Sequence, residues 1–261
     1  MEFRLDDRGV VRVAGPDSGH FLQNLVTNDV DGLEIGAVQF AALLTPQGKI
    51  LFDFLIHRLG ADEFLLDVAA DKAAELAKRL AMYRLRAKIE ISDVSEVFAV
   101  TVGGEAGAPD PRAPLGGRRI APRDEAPAAD ARARAAYEAR RVALGVPEGG
   151  KDFVYGDAFP HDVNMDLLNG VDFRKGCYVG QEVVSRMKHR ADIRKRIVRV
   201  GALDGALAPG AGIVDGDLPV GTVGTVAGDE ALALVRLDRA ETAEQAGRLL
   251  VAGGLHLRRL D

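Results

Sequence analysis

Punctuation limits this chain more than any other property. Thirty glycines and eleven prolines are distributed over 261 residues, and they cut the apolar sequence into runs of strand length. Residues 10–13, 38–44, 50–57, 63–68, 88–91 and 97–102 read as strands. Residues 17–27, 71–83 and 131–144 carry apolar side chains at helical spacing. Thr45-Pro46-Gln47-Gly48 is a turn signal, so 38–44 and 50–57 are expected to pair as a hairpin. Residues 104–130 are crowded with Gly and Pro and predict a long loop or subdomain edge. Beyond 194, short β-like runs at 195–202, 210–214, 220–227, 231–237 and 249–260 suggest a small antiparallel barrel. The pattern is α+β.

The balance of charge excludes some classes. A net charge of −5 argues against a general nucleic-acid coat. No apolar run approaches the roughly 20 residues that span a bilayer, so no membrane partner is expected. The first residues lack the basic-then-apolar order of a signal peptide. One cysteine, Cys177, rules out an intramolecular disulfide and fits a reducing compartment. These points together predict a cytoplasmic protein.

Cys177 lies in Arg174-Lys175-Gly176-Cys177-Tyr178-Val179-Gly180-Gln181-Glu182. A thiolate gains population near cations or a helix N-terminus, and a helix is expected over 179–187. Alone, such a thiol acts as a nucleophile, a single ligand or a contact; burial as a small apolar residue is the other reading. Gly176 and Gly180 permit close backbone approach. Gln181 and Glu182 read as polar anchors for a heterocycle or as a helix first turn, and Tyr178 as packing or stacking. Asp53 sits in an apolar strand, where a carboxylate needs a partner or a ligand. His57 reads as surface or packing, and His161 as a loop hydrogen-bonding group. The histidines lack metal-ligand spacing, and no metal is expected. Seven Lys and Arg lie between 186 and 199, either a solvated face or a seat for a polyanion.

Lys175 to Glu182 matches Lys-Gly-Cys-Tyr-x-Gly-Gln-Glu, and the chain thereby resembles the YgfZ-type folate-binding proteins of iron–sulfur cluster assembly or repair. Phe21-Leu22-Gln23-Asn24, Thr27-Asn28-Asp29, Gly145-Val146-Pro147-Glu148 and the C-terminal runs extend the resemblance over nearly the whole chain. Through that family it is similar to the aminomethyltransferase (T-protein) of glycine cleavage. The resemblance implies three domains around a central channel. Residues 1–45 plus 131–194 would form a discontinuous folate-binding domain, 46–130 a ferredoxin-like α+β domain and 195–261 the barrel. It implies tetrahydrofolate or a derivative as cofactor, with Asp53 near its reactive nitrogens and Glu148, Tyr178, Gln181 and Glu182 as further contacts. It implies Cys177 as the functional thiol, framed by the motif residues Lys175, Gly176 and Gly180. Iron–sulfur client or assembly proteins, tRNA-modifying enzymes among them, would be partners, with a weak tRNA contact through Arg186–Arg199. A non-catalytic factor is the expectation, and a folate-dependent one-carbon transferase the alternative. The transferases lack a cysteine at this motif.

Overall fold

A computed structural model of the chain describes residues 2–104, 107–190 and 193–260. The first half supplies β1 (Phe3–Leu5), β2 (Arg8–Ala14), α1 (Ser18–Gln23), β3 (Val38–Leu44), β4 (Ile50–Gly60) and β5 (Glu63–Ala69). It continues through α2 (Ala73–Tyr83), β6 (Glu90–Asp93), β7 (Phe98–Val102), β8 (Ala108–Pro109), β9 (Gly117–Pro122) and α3 (Ala131–Ala143). One antiparallel sheet has the order β3-β4-β5-β2-β6, and a second the order β1-β7-β9-β8.

After a long irregular stretch come α4 (Gln181–Arg190), β10 (Lys195–Ala202), β11 (Gly212–Asp215), β12 (Leu218–Ala227) and β13 (Glu230–Arg236). The chain ends with α5 (Leu237–Gln245), β14 (Leu250–Ala252) and β15 (Leu255–Arg259), and the six strands β10 to β15 close a barrel. The expected barrel is there, with a helix inserted that the sequence reading left out. The β3–β4 hairpin also forms as expected, with Phe40 opposite Leu55 and Ala42 opposite Asp53. The boundary drawn between residues 45 and 46 falls in the turn of this hairpin, so it divides two strands of one sheet.

Residues 104–130 are not all loop. Gly117–Pro122 is β9, paired with β7 from Phe98–Pro122 to Val102–Arg118. Glycine and proline at its ends conceal a strand that lies next to β7 in the second sheet.

Alternation along β4 sorts its side chains between two layers. Phe52, Phe54 and Ile56 face α1 and α2 and pack with Phe21, Leu22, Leu76 and Leu80. Asp53, Leu55 and His57 face the other way, toward β7, α3 and the 150–178 segment, where Leu55 packs with Val100, Tyr137, Phe153 and Tyr178. His57 is thus interior, not a surface residue.

That interior face is crossed by buried charge. Asp67 of β5 accepts from Arg8 Nε of β2 at 2.6 Å and from Arg118 Nε of β9 at 2.6 Å. One carboxylate therefore joins the two sheets. Arg118 also donates to the Tyr137 hydroxyl on α3 at 3.1 Å, and Arg112, held by Asp110, reaches the same oxygen. A further buried arginine, Arg141 of α3, donates to Asp152 at 2.7 Å and to Thr225 of β12 at 2.6 Å, which ties the barrel to the rest.

Two expectations follow. Asp67→Ala leaves the buried Arg8 guanidinium without a carboxylate and Arg118 with only Asp110 at 3.7 Å, and should lower unfolding stability by about 3–5 kcal/mol in denaturant titration. His57 is held neutral, because burial pushes its pKa from 6.5 down to about 4. Between those values the unfolded chain binds a proton that the folded chain refuses, so stability falls as pH drops through the window. His57→Leu should remove that slope, a relative gain of about 2 kcal/mol on going from pH 7 to pH 5. Parallel pH profiles for the two proteins would show that His57 is not the group titrating.

Candidate functional site

The hallmark segment is irregular from Val171 to Gly180, then enters α4 at Gln181. Two anchors hold it. At the first, Lys175 is buried, and its ammonium donates to the carbonyls of Gln23, Val26 and Asn28 at 2.8, 2.7 and 2.7 Å. Burial pushes the Lys175 pKa from 10.5 down to about 8, so at neutral pH the ammonium still carries the three hydrogens those carbonyls accept. The receiving segment is itself pinned. Thr27 donates to Gly170 O at 2.6 Å, and Asn28 to Phe40 O and Asn169 O at 2.8 and 2.6 Å.

The second anchor is a glycine contact. Gly180, at φ +82°, sits where an added Cβ would lie 2.6 Å from Thr45 O and 3.0 Å from Gly48 Cα. Only a residue without a side chain allows the motif to close on the β3–β4 turn. Between the anchors Tyr178 is buried in the core that also holds Phe40 and Leu44, with the Lys175 ammonium 5.3 Å from its ring centroid.

Cys177 is exposed. Its neighbour Gly176 and the side chains of Arg174 and Glu182 are exposed as well. The motif thus spans a rigid bridge whose most reactive side chain faces solvent. Burial, the other reading of this thiol, is not what the fold does with it. Lys175 directs its charge inward, so Arg174, with Asp172 at 3.8 Å, is the exposed cation nearest the thiol in sequence, and residues 178–180 separate Cys177 from the N-terminus of α4.

The other predicted residues lie elsewhere. Asp53, 3% exposed, accepts from the Tyr155 hydroxyl through Oδ1 at 2.5 Å. Burial, together with the Asp53 carboxylate, holds Tyr155 protonated well above the usual phenol range. Among the described residues, Asp53 Oδ2 accepts no hydrogen bond. Glu148 is buried and accepts from Lys151 at 2.7 Å, with Arg141 Nε at 3.9 Å. Burial opposes its charge, but Arg141 and Lys151 hold its carboxyl well below the usual range. Asp53 and Glu148 therefore share the interior with Arg8 and Tyr155, while Tyr178, Gln181 and Glu182 belong to the bridge. Gln181 opens α4 and its N–H donates to Tyr178 O.

Sequence reasoning missed Tyr155, Arg118 and Arg112. Phe153-Val154-Tyr155 carries no periodic signal, and the arginines fell in the stretch taken for loop. Arg118 Nη2 and His57 Nε2 are both buried without a partner among the described residues. His161 is not a hydrogen-bonded loop residue either. It is buried with neither ring nitrogen partnered among the described residues, its ring 5.8 Å from Phe173. In the basic run, Arg196 pairs with Asp166 and Arg199 with Glu230, which divides the expected polyanion seat. The side chain of Arg190 lies outside the described residues. No group of three His, Cys, Asp or Glu among the described residues is placed to hold a metal ion.

The first anchor makes a testable claim. Lys175→Met leaves three buried carbonyls without donors and should cost roughly 2–4 kcal/mol. Hydrogen exchange at residues 171–180 should quicken before the barrel loosens; exchange unchanged in that segment would show that Lys175 does not hold it.

Residues 5–106 match the GCVT N-terminal domain, and residues 194–259 the CAF17 C-terminal beta-barrel domain. The chain is 34% identical to the mitochondrial iron–sulfur cluster assembly factor IBA57 homolog of Neurospora crassa, over 75% of this chain and 52% of that protein. It is 34% identical to mouse (Mus musculus) IBA57, over 82% of this chain and 69% of that protein. Human (Homo sapiens) IBA57 is 35% identical, over 81% of this chain and 70% of its own length. The chain thus spans about half the length of the fungal relative. The aminomethyltransferase T of Bartonella henselae superposes with a TM-score of 0.75 at 17% identity, covering 98% of this chain and 83% of that one, which shows a shared fold. All three relatives are named as mitochondrial, and this overturns the cytoplasmic expectation. An unpaired cysteine reports a reducing environment without saying which compartment supplies it. The chain belongs to the IBA57 family of iron–sulfur cluster assembly factors, built on the aminomethyltransferase fold.

Proposed function

We propose that this chain serves the assembly or maintenance of iron–sulfur proteins, tRNA-modifying enzymes among its clients, with Cys177 as its working thiol. The observation behind this reading is an exposed thiol carried on a segment fastened at both ends. A loop free to move would gain nothing from three carbonyls around Lys175 or from the Gly180–Gly48 contact. Coordination through a thiolate needs the sulfur accessible and its backbone positioned. One sulfur cannot hold a cluster alone, so the remaining ligands come from a partner that docks over the bridge. The cluster is cargo, not a resident cofactor.

Tetrahydrofolate is the ligand the fold family implies, and the two carboxylates differ in their fitness for it. Asp53 fits: one oxygen is fixed by Tyr155 and the other is free to accept from a ring nitrogen. Glu148 fits poorly, because Lys151 and Arg141 already neutralise it. When bound, the folate would supply a reduced pterin, and Asp53 would orient it, with Tyr155 fixing the carboxylate. The one-carbon transferase alternative has less behind it, since a second open carboxylate is wanting.

Two variants separate the thiol from the interior carboxylate. Cys177→Ser should lower the activity of cluster-dependent client enzymes at least several-fold in a cell lacking the endogenous factor, with the thermal midpoint unchanged. Full client activity with the serine protein would refute the thiol role. Asp53→Asn should weaken tetrahydrofolate binding by about tenfold or more in calorimetry, since hydrogen bonds to a charged group are worth about 1.5–3 kcal/mol. Cys177→Ser should leave that affinity alone. Equal affinity in wild type and Asp53→Asn would remove Asp53 from any folate site.

A further inference from the structure

Far from the bridge in sequence, the end of α2 forms an exposed tip that neither folding nor cluster assembly accounts for. Residues 78–88 read Lys-Arg-Leu-Ala-Met-Tyr-Arg-Leu-Arg-Ala-Lys, five cations without an acid. Leu80 is the residue of this stretch that packs fully into the core. Lys78, Arg84, Arg86 and Lys88 are exposed, and Arg79 is partly so. None of the five forms a salt bridge with a described residue; the Arg84 guanidinium reaches only Ile89 O at 3.4 Å. On α1's side the Asp17 carboxylate accepts from the Lys88 backbone N–H at 2.7 Å.

Two large apolar side chains stand among these cations. Met82 is 65% exposed, on the outer face of α2 with Lys78 and Arg79, and Leu85 is 90% exposed. Leu85 follows the C-cap residue Arg84 and has φ +44°. That is the position where helices favour glycine, because a Cβ is strained there. The chain therefore accepts backbone strain to present a leucine that packs against almost nothing. Beneath the tip is a hollow of about 490 Å³, lined by Phe21, Leu25, Tyr83, Leu85 and Ala87 with His20 at its side.

We propose that the 78–88 tip docks on an anionic phospholipid surface, with Leu85 and Met82 entering the interface and the five cations meeting the headgroups. Charge and apolarity coincide there as interfacial binding requires. A single-strand seat would offer exposed aromatic platforms for stacking, whereas the exposed apolar side chains here, Met82 and Leu85, are aliphatic and Tyr83 is half-buried. No helix among the described residues is long and apolar enough to cross a membrane, and the proposal needs none: the contact is peripheral. The inference is independent of the assembly reading and of Cys177.

The test is co-sedimentation of the full chain with phosphatidylcholine vesicles, with and without about 30% phosphatidylserine. Binding should appear only on the anionic vesicles and disappear near 0.5 M salt, where screening is short-ranged. Arg84→Gln with Arg86→Gln should reduce partitioning roughly 25-fold, about fivefold per cation. Leu85→Gly should weaken partitioning about tenfold while raising the thermal midpoint, because glycine relieves the strain. A purely structural leucine would do the reverse, losing stability and leaving vesicle binding unchanged. Equal binding to neutral and anionic vesicles, full binding by Leu85→Gly, or binding to duplex RNA with no vesicle binding would each overturn the proposal.

Discussion

The Asp67 carboxylate is the interaction on which the rest of the molecule depends. It receives Arg8 from its own sheet and Arg118 from the second, and both arginines are buried with it. A charge in that position is costly unless fully paired, so the two sheets can pack in one register only. Arg118 then fixes Tyr137 on α3, and α3 carries Arg141 to Asp152 and the barrel strand β12. Sheet, sheet, helix and barrel are thus joined by geometry that apolar packing alone would leave adjustable. The buried carboxylates Asp53 and Glu148 lie within the frame that these pairs hold.

The residues of the hallmark motif are mostly fastenings: Lys175 binds the 23–28 segment, Gly180 meets the β3–β4 turn and Tyr178 fills the core. The reactive position is what those fastenings display. Asp53 lies on β4, which follows the same turn that Gly180 touches, so the thiol bridge and the interior carboxylate share a support without sharing a site. This separation lets the fold carry a thiol on its surface without disturbing the interior carboxylates.

Legibility varied by region for physical reasons. Runs with clean period and clear punctuation were readable: the β3–β4 hairpin, α2, α3 with its Asp130 cap and the barrel strands. β9 was not, because its stabilisation comes from β7 and from burying Arg118, neither of which is local. α5 was overlooked between strands, where Leu237-Asp238-Arg239-Ala240 offers little apolar periodicity. The 45/46 boundary coincides with a hairpin turn, because a hairpin turn and a domain linker share the same Pro and Gly chemistry. Compartment was not legible at all, since a reduced cysteine is common to several.

By itself the sequence determined the α+β class, the terminal barrel and a motif specific enough to mark Cys177. It also marked Asp53 as a carboxylate in need of a partner, because burying charge in an apolar strand is expensive whatever the fold. Only the tertiary structure decided which groups answer that need. Tyr155 takes Asp53, Lys151 and Arg141 take Glu148, three carbonyls take Lys175, and solvent receives Cys177. Pairing of charges and exposure of a thiol depend on residues a hundred or more positions apart in several of these cases. Distances between such residues are set by packing, which local pattern does not encode.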